Sequence, residues 1–221
     1  MPVETCHYRL TLRGRPAGTH TLSTSFRGRT AILDASLKLQ GPMPQTSLRQ
    51  QSKVHRQQFF SFSYQETQTS PDSRTYSVHF DIEEGLVKAS RGRDSAAVPY
   101  LQAYEDPLGL LYHLRHLEDE TTLRVPMLGK GVVVERIGET DLDTVLGERT
   151  ARVYQLRPGG SYVYVDAEPP HSILMMTQLF AEQRLDALLV RIDENAPLPK
   201  EKPPRRKRRR RKRERRPKRS S

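Results

Sequence analysis

The residues most able to do chemistry in this 221-residue chain are the basic side chains near its C-terminus. Positions 200–219 hold 15 lysines and arginines and two glutamates, so they carry a charge of +13, and the preceding residues carry −2. Like charges at this density repel, and no apolar side chain is present to collapse them, so we expect a disordered tail. Its cations are Lys200, Lys202, Arg205, Arg206, Lys207, Arg208, Arg209, Arg210, Arg211, Lys212, Arg213, Arg215, Arg216, Lys218 and Arg219.

Polyanion binding is the chemistry that this segment predicts. Arginine outnumbers lysine, which favours bidentate contacts with phosphate, and binding would release condensed counterions from nucleic acid. DNA or RNA is favoured over an anionic membrane surface, because no amphipathic or lipid anchor accompanies the charge. The tail has no aromatic residue for base stacking, so we expect no reading of base sequence. A solubilising tail and a nuclear-import signal are the alternatives.

Two histidines and one cysteine are the other candidate ligands or nucleophiles. His113 and His116 lie one helical turn apart, but a metal site needs a third convergent ligand, and the sequence offers none. Cys6 lies in an alternating segment, which favours a small buried hydrophobe over a nucleophile. We therefore expect no metal and no cofactor.

An acidic cluster completes the candidates for catalysis. Glu139, Asp141 and Asp143 could perform acid–base chemistry if a partner faced them, but an exposed turn is the favoured interpretation. No nucleophile elbow and no glycine-rich phosphate loop is present. We expect no catalytic residues and no enzymatic activity.

A group of apolar residues near the end of the globular part could line a ligand cavity inside a curved sheet. Packing in the core is the favoured alternative, and the residues are Leu174, Met175, Met176 and Phe180.

The elements that must position these residues are mostly strands. Apolar and polar residues alternate with a period of two in segments such as 6–12, 31–39 and 76–82, which is typical of half-buried strands. Residues 14–18, GRPAG, supply turn chemistry for a first hairpin. Many short strands separated by turn residues indicate an antiparallel sheet that curls.

One helix interrupts the strands. Asp106 is a good N-cap, and Pro107 suits the first helical position. Leu110, Leu114 and Leu117 form an apolar stripe at spacings of four and three. The spacing predicts a helix from Asp106 to Leu117 that packs on the sheet.

The composition divides the chain into three parts. We expect a β-rich globular domain at residues 1–195, a proline-rich linker at 196–204 and a disordered basic tail at 205–221. No signal peptide and no apolar run long enough to span a membrane is recognisable, which favours a soluble cytoplasmic protein without stable membrane insertion. The predicted fold is mainly β, with a curved antiparallel sheet, half-barrel or clam-like, packed around one helix.

Three segments resemble a bacterial family known as domain of unknown function 3108. They are YRLTLRGRPAGTHTL (Tyr8–Leu22), DPLGLLYHLR (Asp106–Arg115) and SYVYVDAEPPHSILMM (Ser161–Met176). The resemblance spans most of Tyr8–Ile192. It implies a curved β-sheet wrapped around a helix, with no catalytic residues to transfer, and the basic tail is not part of the family pattern.

Two functions follow as hypotheses. The first is a non-enzymatic scaffold or binding domain that the polybasic tail tethers to nucleic acid without sequence preference. The second is a carrier or sensor of a small apolar ligand in the β-domain, with the tail as an accessory anchor to a polyanion or a membrane surface.

Overall fold

The computed structural model describes residues 4–70, 72–117, 121–180 and 183–194, which form one antiparallel sheet of 14 strands and one helix. The elements in chain order are β1 Glu4–Leu12, β2 Arg15–Arg27, β3 Thr30–Leu39, β4 Thr46–His55, β5 Ser61–Ser70, β6 Arg74–Asp81, β7 Leu86–Arg91, β8 Asp94–Pro99, α1 Pro107–Leu114, β9 Thr122–Val125, β10 Val132–Thr144, β11 Gly147–Arg157, β12 Ser161–Asp166, β13 Ile173–Phe180 and β14 Gln183–Glu194.

The sheet is an open meander in two halves. Strands β1 to β8 pair consecutively, as do β9 to β14, and the pairing of β1 with β14 joins the halves. Strands β8 and β9 are therefore the two edges of the sheet. The prediction of a mainly β, curved antiparallel sheet around one helix is confirmed.

The helix lies between two clusters of the core. Leu110 and Leu114 belong to a cluster that is built largely from β1 and β9–β14. Leu108 and Tyr112 belong to a second cluster, which is built from β3–β7. Apolar residues on more than one side of a helix are expected when the helix is surrounded by protein, so α1 fills the concave face of the sheet.

The helix begins where the sequence predicts and ends one turn earlier. Asp106 is the N-cap, and the regular helix stops at Leu114. The backbone N–H of His116 then donates to the carbonyl of His113, and that of Leu117 donates to the carbonyl of Leu114. Both hydrogen bonds have the shorter i to i+3 spacing. Leu117 is nevertheless buried, because this tighter final turn still directs it into the core.

The first hairpin turn is also shorter than predicted. The turn consists of Arg13 and Gly14, while Arg15 already belongs to β2. Gly18 is a strand residue with φ of +141°, and a Cβ atom there would lie 1.9 Å from the carbonyl oxygen of Lys38. Glycine is therefore required at position 18 by the close approach of β3 and not by the turn.

Candidate functional site

A network of hydrogen bonds fixes the start of the helix against the sheet. The Asp106 carboxylate accepts from the backbone N–H groups of Leu108 and Gly109 at 2.9 and 3.0 Å. Its second oxygen accepts from the hydroxyls of Ser52 and Ser61 at 2.5 and 2.6 Å. Burial raises the pKa of Asp106, and the four hydrogen bonds oppose that shift. The carboxylate is thus engaged entirely within the protein, as expected of a structural cap.

The predicted histidine pair lies beside this cap in an aromatic stack. His113 forms a hydrogen bond with Glu105 through Nδ1 at 2.9 Å. The Phe59 ring stacks on the His113 ring, with 4.0 Å between the ring centroids. Phe59 also stacks on His116, at 5.5 Å. Burial lowers the pKa of His116 to about 4, with nearby positive charges as further causes. The described residues contain no group of three or more His, Cys, Asp or Glu side chains that could hold a metal ion.

Cys6 lies in the core, on the face of β1 that points toward the helix. It is 3% exposed, and burial raises the pKa of its thiol to about 12. The thiol donates to Glu4 at 3.4 Å, and Arg115 forms a bidentate pair with the same carboxylate at 2.7 and 2.9 Å. A high thiol pKa disfavours the thiolate, which is the nucleophilic form, so the environment of Cys6 favours packing.

The acidic cluster is exposed but does not form a turn. Glu139, Asp141 and Asp143 lie in β10, along the part of the β10–β11 hairpin that extends beyond the neighbouring strands. Asp141 accepts from the hydroxyl of Thr150 at 2.8 Å, and Glu139 pairs with Arg136. The prediction of a turn is wrong, because the three residues lie in a strand. This part of the hairpin is mostly exposed, so its sequence lacks the buried apolar residues that usually mark a strand.

The residues predicted to line an apolar pocket lie on β13. Leu174 is fully buried in the core, and Met176 is half-buried and packed against it. Met175 is half-buried, and the side chain of Phe180 lies outside the described part of the structure. Two cavities of the described structure are lined by other residues.

The larger cavity is a groove of about 990 Å³ on the face of β2–β8 that points away from the helix. We call it the outer groove. Its lining residues are Arg27, Ile32, Asp34, Arg49, Gln51, Ser52, Lys53, Ser63, Tyr64, Gln65, Ser77, Val78, His79, Lys88, Ala89, Ser90, Ser95, Ala96 and Ala97.

Cross-strand register arranges the floor of the outer groove. One row of directly opposed residues crosses six strands, and we call it the polar row: Asp34, Gln51, Gln65, Ser77, Ser90 and Ser95. Gln51 donates to Asp34 at 2.7 Å, and the hydroxyls of Ser77 and Ser90 lie 2.8 Å apart. The hydroxyl and amide groups of this row make the floor a hydrogen-bonding surface.

Four cations and one carboxylate set the charge of the outer groove. Arg49 pairs with Asp34 at 3.5 Å, and Lys88 pairs with two carboxylates of the β6–β7 turn region. Arg27 and Lys53 form no ion pair within the described residues. Arg27 and Lys53 therefore give the groove a local excess of positive charge, although residues 1–199 carry a net charge of −2.

Sequence reasoning missed the outer groove because it missed three of the strands that build it. Strand β4 reads TSLRQQSKVH and lacks the dense apolar alternation of its neighbours. Arg49, Gln51 and Lys53 face outward, but Gln50 and Ser52 between them are polar too, so the alternation that marks the other strands is missing. The predicted basic residues of positions 200–219 lie outside the described residues.

Comparison with known proteins identifies the architecture. No family model matches the chain, and no curated protein matches it in sequence. A crystal structure of a β-barrel-like protein of the domain of unknown function DUF1849, from Brucella abortus, is similar with a TM-score of 0.59. It shares 9% sequence identity, and the alignment covers 88% of this chain and 98% of that one. The fold is β-barrel-like.

The structural similarity extends over nearly the whole of the other chain, so the two proteins share a fold. At this identity the comparison shows the fold alone, and it does not point to domain of unknown function 3108 specifically. Among the described residues, no helix is long and apolar enough to cross a membrane.

Proposed function

We propose that this protein is a non-enzymatic binding or scaffold protein that its C-terminal basic segment attaches to nucleic acid without sequence preference. The observation that carries the proposal is the separation of charge along the chain, with +13 in positions 200–219 and −2 before them. A segment of this charge gains affinity for phosphate by releasing counterions. The domain as a whole supplies no comparable attraction.

The composition of the segment supports nucleic acid over a membrane surface. Interfacial anchors combine cations with apolar residues that enter the lipid, and positions 200–219 contain none. The guanidinium groups suit phosphate oxygens. The absence of aromatic residues supports contacts with the backbone of the nucleic acid and not with its bases.

The proposal assigns no reaction to the β-domain. Its support is that the candidate reactive groups have structural partners: Asp106 caps the helix, His113 bonds Glu105, and Cys6 is buried. The resemblance to domain of unknown function 3108 is part of this proposal at the level of family, and it agrees with a role that needs no catalytic residues.

The alternative, a carrier of a small apolar ligand, has less support. Leu174, one of the residues predicted to line an apolar pocket, is fully buried in the packed core. The outer groove is large enough for a ligand of ordinary size, but its floor is the polar row and its rim is cationic. These features favour a polar or anionic occupant.

Replacement of the Arg205–Arg213 block tests the proposal. In full-length protein, alternating Gly and Ser at these nine positions should remove most of the affinity for duplex and single-stranded DNA, as measured by fluorescence anisotropy. A matched control with lysine at all nine positions keeps the charge and should keep most of the affinity. Equal affinity of the Gly/Ser variant and the parent would contradict the proposal.

A further inference from the structure

The cations of the outer groove are spread along it and do not converge on one point. Arg49 and Lys53 lie four residues apart on β4, so their Cα atoms are separated by about 13 Å. Lys53 and Lys88 lie in one cross-strand row, three strands apart, which corresponds to about 14 Å. Cations at this spacing offer contacts at several points along the groove, which suits an extended polyanion.

The floor between the cations suits an occupant with many hydroxyl and ester oxygens. The polar row offers four serine and glutamine side chains from β5–β8, and Ala97, in the row of Lys88, leaves space above the sheet. Serine hydroxyls and glutamine amides donate and accept hydrogen bonds without adding charge. An apolar chain would leave these groups without partners when it displaced water, at a cost in free energy.

The outer groove provides little surface for stacking. Tyr64 is the only tyrosine or phenylalanine in its lining, and it is 5% exposed, with its hydroxyl bonded to Gln50 and Glu66. His79 supplies the one exposed ring. Grooves that hold bases do so with several aromatic side chains, so an occupant would be held by its backbone.

We propose that the outer groove binds the sugar–phosphate backbone of a single-stranded nucleic acid, as a second contact site distinct from the C-terminal basic segment. A volume of about 990 Å³ lies at the upper end of small-ligand pockets and accommodates a short stretch of a flexible strand. A rigid duplex would reach only the rim. The inference stands on the charges and shape of the groove and does not require the tail.

The test removes the two groove cations that have no ion pair among the described residues, in a full-length protein whose Arg205–Arg213 block is alternating Gly and Ser. The groove variant is Arg27→Gln with Lys53→Gln, and the matched control is Arg124→Gln with Lys130→Gln, two exposed cations that line neither cavity. The probes are a fluorescent oligothymidine of about 20 nucleotides, longer than the usual single-strand sites, and a duplex of equal length.

The groove variant should bind oligothymidine several-fold more weakly at low salt than its parent. Its slope of log K against log salt should be shallower by about 1.4, since each single-strand phosphate contact contributes about 0.7. The control pair should change neither quantity, and Lys53→Arg should retain affinity. Melting temperatures verify that each variant is folded. Amide shifts in NMR spectra of the parent should be confined to β2–β8 when the oligonucleotide is added.

Several results would overturn the inference. Undetectable binding by the Gly/Ser parent would refute the groove while leaving the tail proposal intact. Equal losses in the groove and control variants, or equal losses for duplex and single strand, would also refute it. If the Gly/Ser parent binds as tightly as natural protein and the groove variant loses that affinity, the groove stands and the tail proposal fails.

Discussion

At the first turn of the helix, a single carboxylate supplies the hydrogen bonds that water would otherwise make. Asp106 is 3% exposed, and its two oxygens accept from two backbone N–H groups and two serine hydroxyls. Buried donors are costly when they lack partners. The residue therefore couples the helix to β4 and β5, which carry Ser52 and Ser61.

Asp106→Ala should destabilise the protein by about 3 kcal/mol, since a lost cap costs about 1 kcal/mol and each orphaned buried hydroxyl adds a further cost. Asp106→Asn keeps an oxygen that can accept from the helix and should cost less. Urea denaturation followed by circular dichroism measures both. Equal stabilities for the alanine variant and the parent would show that the cap contributes nothing.

We expect the protein to lose stability on acidification because of His20. It lies on β2 with its ring 5.8 Å from that of Tyr8, and burial lowers its pKa to about 4. Between pH 6.5 and 4, the unfolded chain takes up a proton that the folded protein excludes, so the free energy of unfolding falls as the pH falls. From pH 7 to 5 this amounts to about 2 kcal/mol at most, at about 1.4 kcal/mol per unit.

Denaturant titrations at pH 7 and pH 5 check this prediction. His20→Gln has no titrating ring, so its stability should fall less between these pH values than that of the parent. His116, whose pKa is also lowered to about 4, remains in the variant, and so a part of the acid sensitivity should persist. An identical fall in parent and variant would show that His20 does not exclude a proton.

At the scale of elements, the helix lies between the two clusters of the core and contributes residues to both. Leu114 is fully buried in one cluster, and Leu108 and Tyr112 are buried in the other. Gly109 permits this close packing, because a Cβ atom there would lie 3.1 Å from a methyl group of Val54. The strands on either side thus depend on one short helix for their common core.

Leu114→Asp should lower the free energy of unfolding by several kcal/mol, because it places an unpaired carboxylate in the core. The matched control is Leu101→Asp, at a leucine that is 80% exposed, and it should change stability little. Thermal melting by circular dichroism compares the two. Equal melting temperatures for Leu114→Asp and the parent would contradict the packing of α1.

The elements that could be predicted from sequence were those with dense alternation or strong caps. The buried face of β1, with Cys6, Tyr8, Leu10 and Leu12, follows from its period of two. Strand β4 could not be recognised in the same way, because its outward positions are long and polar and its inward positions include Ser52. Local pattern is a weak guide where a buried position is polar.

The outer groove could not be predicted because it is a property of register. Ser77, Ser90 and Ser95 come from three strands, and only the pairing of β6, β7 and β8 places them side by side. Alternation reveals which residues share a face of one strand, but it does not show which residues of other strands lie opposite. The same limit explains why Leu174 could be predicted either in a pocket or in the core.

The whole molecule combines a β-barrel-like fold with a C-terminal segment whose charge has the opposite sign. The net charge is −2 up to position 199, against +13 for positions 200–219. The proposed attraction to phosphate is therefore concentrated in the segment, with the outer groove proposed as a local exception. Single arginine substitutions in the segment should matter little, since one contact can replace another.

The dependence of nucleic-acid affinity on salt tests this central claim most directly. For full-length protein and duplex DNA, the slope of log K against log salt should be steep, at about −0.9 per neutralised phosphate. If about six to ten of the 15 cations engage, affinity should fall roughly a thousand-fold or more between about 50 and 200 mM salt. Scrambled duplex sequences should give the same curve. An affinity that barely responds to salt, or that depends strongly on base sequence, would contradict attachment through the basic segment.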